Sequence, residues 1–395
     1  MNELFHEFCL VTFCHCCAIL FYSDKMSLSK KENVGGKVMF LAMKEMKYAK
    51  LRYGLIIGIM FLIAYVVFML SGLASGLAEE FKKAIDDWGA QEIVLSEDAN
   101  QVFAASQLTR GDLDQVNAKE KAPIGLFSGA IKGKNKENVT VFGTTNDAFL
   151  LPKITDGRMF DKKNEIIISQ NLAQDQYKLG DQIKIGSDDQ AFTIVGIFPA
   201  TYYTVSPVIY TDLETWTQLK YGAQPFASDD KKPINAIVTK QSAAIDKDGA
   251  SKDLQKLTIP DFIESLPGYS AQNMTLNAMV YFLFLVVAAV VGIFMYVITL
   301  QKTAIFGVMK AQGIRNSFIA KSLIAQSFVI GVIGVALAVL AAYLTSLFLP
   351  SAMPFAIFWT QWLLYSGVLL VVAVVGGVFS IHTITKVDPI TAIGG

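Results

Sequence analysis

Cysteine is absent from residue 18 to the end of the chain. All four copies (Cys9, Cys14, Cys16, Cys17) and two of the three histidines (His6, His15) lie in the first 17 residues. Soft thiolates beside imidazole can hold zinc or copper. This cluster offers no pair of Cys-x2-Cys knuckles, and it is too short and apolar to close around an ion. It is a poor signal peptide as well, with no basic n-region and no small-residue cleavage site. The segment 79–276 must fold without disulfides. Having no histidine, it also folds without His-centred metal or triad chemistry. No Gly-x4-Gly-Lys-Ser/Thr occurs anywhere, which excludes ATP binding through a P-loop.

Long hydrophobic runs are abundant. Hydrophobic residues make up 53% of the chain and charged ones only 17%, a membrane-class composition. Near-continuous apolar runs cover 55–77, 279–300, 318–349 and 358–381, and each exceeds the ~20 residues that a helix needs to cross the bilayer core. Their interiors carry no Asp, Glu, Lys or Arg, with Lys321 belonging to the loop at the edge of the third. A proton- or ion-coupled carrier usually places an ionisable group at mid-membrane, so the driving energy is expected from a separate ATPase subunit.

The net charge of zero hides an asymmetry. Residues 79–277 hold 28 acids and 21 bases, a balance of −7, and the remainder holds 6 acids and 13 bases, a balance of +7. Between the second and third runs, Lys302, Lys310, Arg315 and Lys321 occur with no acid. The positive-inside rule then puts both termini and this loop in the cytoplasm and the large segment outside. The fold class expected is a membrane α-helical protein with four spans in a 1+3 layout and a large mixed α+β extracellular domain between helices 1 and 2.

The expected organisation along the chain starts with an over-extended, non-structural N-terminus over 1–38. The Gly35-Gly36 pair stands before Met39 where its codons can act as a ribosome-binding site. An amphipathic cytoplasmic helix follows over 39–53, with Phe40, Leu41, Met43, Met46 and Leu51 against Lys44, Lys47, Lys50 and Arg52. Then come span 1 (54–78), the extracellular domain (79–276), span 2 (277–300) and a cytoplasmic coupling segment (301–317). Span 3 (318–349), a short outer loop (350–357), span 4 (358–382) and a cytoplasmic C-terminus (383–395) complete the chain. Within the domain, β-branched stretches predict strands at 92–96, 139–143, 165–169, 182–185, 192–198 and 236–239. Helices are predicted at 171–177, 213–221 and 259–266, with a turn at Leu179-Gly180-Asp181.

In the coupling segment, Ile305, Phe306, Val308 and Met309 form an apolar cluster on a short helix bearing Lys310. Gly313 ends the helix and Arg315 opens the next element. Docking to an ATPase and a plain interfacial loop explain these residue types equally well. Ser71, Gly72, Ser75 and Gly76 give overlapping small-xxx-small spacing, suited to close helix approach. That approach is either to a second subunit or to another span of the same chain.

From residue 39 to 395 the chain resembles ABC-transporter permeases of the FtsX-like, macrolide-exporter class. The resemblance rests on the 1+3 layout, NEIIISQNLA, LGDQIKI and FTIVGIF in the domain, the loop GVMKAQGIRNSFI, and the terminal VDPITAIGG. Within the class, MFLAMKEMKYAKLRYGLI, SGLASGLAEE and MYVITLQKTAIFGVMKAQGI most resemble the permease subunit of haem-exporting transporters. The resemblance implies a homodimer of permeases in the bacterial plasma membrane with two cytoplasmic ATPase subunits. The same resemblance implies a permease with no enzyme activity of its own, no resident cofactor, ATP used only through the partner, and no nucleic-acid partner. The implied cargo is haem taken from membrane lipid. Haem iron needs axial ligands, and the resemblance implies Glu80, after span 1, and Met279, at the start of span 2. Glu79, Met274 and the Tyr202-Tyr203 pair are neighbours that could substitute, and turn or packing roles remain open for each. Two rival readings keep the architecture. One exports another amphiphile, such as an antimicrobial peptide or a lipid. The other transports nothing and activates a cell-wall hydrolase mechanically.

Overall fold

A computed structural model describes residues 42–132, 136–186, 190–246, 253–350 and 353–379. The expectations for 1–38 and 383–395, and those for Phe40 and Leu41, lie outside the described residues. The chain divides into two compact units, Met1–Ser75 with Thr275–Gly395, and Gly76–Met274.

The first unit is helical. A short helix α1 (42–48) leads through a turn at Ala49 into α2 (Lys50–Asp87). Two helices of the second unit's segment, α3 (Gln170–Asp175) and α4 (Leu213–Tyr221), and a third, α5 (Ile259–Ser265), precede α6 (Tyr269–Gln301). Then follow α7 (Thr303–Ala311), α8 (Asn316–Ser346) and α9 (Trp359–Phe379). Among the described residues, α2, α6, α8 and α9 are long and apolar enough to cross a membrane. None contains proline, which would break a helix interior. With 38 and 33 residues, α2 and α6 outlast the apolar runs inside them. At 1.5 Å per residue they extend about 57 and 50 Å, well beyond a hydrocarbon core about 30 Å thick.

The bundle core is a jigsaw of small and large groups. Met60, Val67 and Phe68 of α2, Phe284 and Val291 of α6, Ile330 of α8, and Trp362 and Leu369 of α9 are buried together. Gly376 of α9 lies so near α6 that a Cβ there would stand 2.9 Å from the Ala288 carbonyl oxygen. That close crossing is the small-residue packing that membrane helices use in place of a hydrophobic driving force.

In the second unit, ten strands matter. They are β1 (Glu92–Ser96), β2 (Lys121–Lys132), β3 (Glu137–Thr144), β4 (Glu165–Ser169), β5 (Gln182–Ile185), β6 (Ala191–Phe198), β7 (Tyr202–Tyr203), β8 (Ser206–Asp212), β9 (Ala236–Thr239) and β10 (Leu254–Thr258). Following the pairings β8–β4–β6–β5–β2–β3 returns to β8. Six strands therefore close on themselves into a small ring. From β2 an arm β9–β1–β10 continues antiparallel.

The period-2 alternation of strands sorts the side chains between two cores. Ile166 and Ile168, Val139 and Val141, Phe192 and Ile194, and Ile209 fill the ring. Ile167, Phe142, Phe198 and Tyr210 point the other way, into an aromatic core with Trp88, Phe103, Tyr203 and Phe262. Because both faces are covered, EIIIS reads as a continuous apolar run rather than an alternating one. Trp88, at the end of α2, donates its indole N–H to the Tyr210 hydroxyl at 3.1 Å and meets Phe142 edge-on at 5.6 Å. The helix stops there because Gly89 takes φ +62°, the left-handed geometry of a helix C-terminus.

One carboxylate anchors the β4 end of the ring. Glu165 is gripped by Arg158 and accepts backbone N–H bonds from Asp161 and Lys162. The Arg158 guanidinium, ahead of every other influence, holds this carboxyl down at about 2.

Candidate functional site

Glu79 and Glu80 are half-buried residues of α2 in the second unit. The helix backbone is clasped there. Thr204 and Val205 form a two-residue hairpin turn between β7 and β8, and their N–H groups reach the carbonyls of Phe81 and Glu80. Both turn residues have positive φ, +46° and +65°. Such values are uncommon outside glycine and, for β-branched side chains, strained. Of the tyrosine pair, Tyr203 is a core residue packed on Phe142 at 5.3 Å, and Tyr202 is half-buried. Tyr203 is thus sequestered from any cargo, and burial pushes its phenol above the ordinary range. Met274 is exposed on α6 within the second unit.

Met279 belongs to the first unit and is 50% exposed. It joins an outward-facing apolar stripe of α6 that continues through Phe282, Leu285 and Ile293, spaced three, three and eight residues apart along one helix face. Among the described residues, no group of three or more His, Cys, Asp or Glu gathers to hold a metal ion.

The small-residue motif turns towards its own chain. A Cβ on Gly72 would fall 2.2 Å from the Phe355 ring, and the Gly72 carbonyl accepts the Ala356 N–H at 3.1 Å. Ser75 donates to Gln361 of α9 at 2.8 Å. Ser71 and Gly76 are buried. Gly72 and Ser75 thus meet the 355–361 segment of their own chain.

Helix α7 is split between two directions. Phe306 is buried and, with the half-buried Met309, packs on the bundle core beside Ile314 and Ile319. Ile305 and Val308 are 55% and 45% exposed, although both helix faces carry similar apolar residues. Lys310 is half-buried, and Arg315 precedes α8 in extended geometry as its N-cap residue. Gly313 sits at φ +85°. Its N–H reaches the Lys310 carbonyl, and the Ile314 N–H reaches that of Met309. These two bonds form a Schellman motif, so Gly313 sets the sharp exit from the helix.

A polar cluster that sequence reasoning missed lies against α7. Lys302 forms an ion pair with Glu45 of α1 at 2.9 Å and donates to the Tyr53 hydroxyl at 3.0 Å. Tyr53 donates to the Gln326 side-chain oxygen at 2.7 Å, and the Gln326 amide nitrogen returns to Glu45. Four residues from α1, α2, α8 and the α6–α7 junction thus form one hydrogen-bonded circuit. The available sequence signal was Gln326 with Ser322 and Ser327, three polar residues close together inside the third apolar run.

Comparisons with known proteins agree with this architecture. The family model for the MacB-like periplasmic core domain matches residues 53–257, and that for the FtsX-like permease C-terminal region matches residues 277–389. A Staphylococcus epidermidis protein named hemin transport system permease protein HrtB is 31% identical over 364 residues, covering 90% of this chain and 99% of its own. Its namesake in Staphylococcus haemolyticus is 30% identical over 360 residues, with the same coverage. An uncharacterized ABC transporter permease of Mycobacterium tuberculosis is 25% identical over 367 residues, covering 91% of this chain and all of its own. Two family models that between them take in both units, with relatives alike over nearly their whole length, place the chain among the FtsX-like permeases of ABC transporters.

Proposed function

We propose that this permease removes haem from the bacterial plasma membrane, working as a homodimer with two cytoplasmic ATPase subunits. The observation that carries the cargo is the 30–31% identity, across 90% of the chain, to proteins named hemin transport permeases. The charge asymmetry supports the orientation, with both termini and α7 in the cytoplasm and the ring domain outside. The absence of a P-loop from the sequence supports an energy source on another chain.

In this reading haem enters sideways from lipid between the first and second spans of the two subunits. Met279 is half exposed on its helix, so its thioether is open to a ligand, and Met is an established axial ligand of haem iron. Glu80 is the second ligand proposed, through its carboxylate. Its stretch of helix is held at the backbone by the 204–205 turn, which leaves the side chain to approach the iron. Ile305 and Val308 form the face on which the ATPase seats, while Phe306 and Met309 join that face to the bundle. Closure of the ATPases on ATP drives the spans together and squeezes the macrocycle outward.

A deletion strain grown in graded haemin tests the cargo. Hypersensitivity rescued by the wild-type gene but not by Glu80→Ala or Met279→Ala is the expected result. Rescue by both variants would remove the ligand assignment. Unchanged haemin tolerance on deletion would remove haem itself, and altered cell chaining would then favour a regulator of a wall hydrolase.

A further inference from the structure

We infer that Glu45, Tyr53, Lys302 and Gln326 form a polar latch that fastens helix α1 to the foot of α7, so that displacement of α7 is handed to α1 and the first span. The latch rests on the reading of α7 as the seat of the ATPase.

Its geometry favours a mechanical role over a solvated ion pair. Lys302 is 12% exposed and Glu45 23%, so both charges are largely withdrawn from water. Every partner in the circuit is polar or aromatic. The Lys302 ammonium also stands 5.6 Å over the Tyr53 ring, within cation–π range. The circuit joins segments distant in sequence, Glu45 to Lys302 and Tyr53 to Gln326. Beside it, Glu45, Gln326 and Ser322 line a small cleft with Phe306 and Met309, the inward residues of α7. Removing either charged member leaves the other charge largely withdrawn from water and unpaired, so the arrangement favours being wholly made or wholly broken. A two-state element of this kind, biased from one end, is the physical requirement for passing motion between sites. Gly313, whose Schellman turn fixes the other end of α7, gives the helix a stiff exit to work against.

The test uses the full chain with Cys9, Cys14, Cys16 and Cys17 changed to Ser. Spin labels replace the exposed Lys47 and Ala311, and labelled chains are diluted into unlabelled ones in lipid nanodiscs. The expected result is one narrow label–label distance in the parent and in Lys302→Arg, with at least a twofold broadening in Lys302→Met and Glu45→Gln. Equal widths in all four overturn the latch. With the ATPase bound, Lys302→Met and Glu45→Gln are expected to hydrolyse ATP at near-parental rates while haemin clearance falls about tenfold and recovers in Lys302→Arg. Clearance unaffected in Lys302→Met would also overturn it. If the parent itself clears no haemin, the cargo assignment fails and the distance result still decides the latch.

Discussion

The backbone N–H of Val205 donates to the carbonyl of Glu80 at 3.2 Å. A strained turn of the ring domain thereby grips the helix at the residue proposed to meet the iron. The double change Thr204→Asn with Val205→Gly supplies the residues that two-residue hairpins with positive φ prefer. It should stabilise the domain by about 1–2 kcal/mol, read as a raised melting temperature of the purified permease. A fall in melting temperature would mean that the side chains of Thr204 and Val205 contribute more than their backbone strain removes.

Helix α7 offers a contrast between neighbours. Val308→Asp and Ile305→Asp change exposed positions, and should leave expression intact while abolishing co-purification of the ATPase. Phe306→Ala empties a buried site and should cost about 3–5 kcal/mol of stability, seen as reduced permease yield. If Ile305→Asp and Val308→Asp both retain the ATPase, its seat lies elsewhere.

Gly72→Ala drives a methyl into the Phe355 ring. Overpacking of this kind costs about 1–3 kcal/mol, and Phe355→Ala added to it should restore most of the loss. Additive losses in thermal unfolding of the two single variants and the double would show that the two positions do not compete for space.

The acid limb of domain stability should depend on Glu165. Its folded carboxyl sits at about 2, held there first by Arg158, against an ordinary 4.5. A group lowered on folding contributes stability that is present above its unfolded value and lost as the pH falls towards its folded value. The wild-type domain should therefore lose stability between about pH 4.5 and 2. Glu165→Gln should flatten that limb in a pH series of unfolding curves, and an unchanged slope would assign acid sensitivity to other carboxylates.

The four spans and the better strands were legible because single-segment physics decides them. Uncharged runs of this length have few alternatives to crossing a membrane, and EIIIS and FTIVGIF have the β-branched content of buried strands. Lys121–Lys132 was not legible. Pro123, Gly125 and Gly129 read as breakers, yet at Gly125 and Gly143 a Cβ would stand only 2.3 Å from the Trp216 side chain. Ser206–Asp212 was hidden behind Pro207, and Leu254–Thr258 has too little apolar content. In the candidate site, the residue types on α7 announced an apolar helix but not which members face outward, since that depends on what α8 and α1 present to it. The Glu45–Lys302 pair escaped for a similar reason: nothing local links residues so far apart in sequence.

The closed strand ring has a consequence for biogenesis. Its last strand, β8, pairs in parallel with β3, with Val208 opposite Thr140 and Tyr210 opposite Phe142. Until residue 212 has emerged, the ring is an open sheet with unsatisfied edges. At ~5–20 residues per second of synthesis, that interval lasts several seconds after β3 has appeared. Throughout it the nascent segment is tethered by the first span and displays unpaired apolar strands. In the orientation proposed above, chaperones on the outer side of the membrane should meet this protein during its assembly, and truncations ending between β6 and β8 should be degraded faster than truncations ending after residue 212.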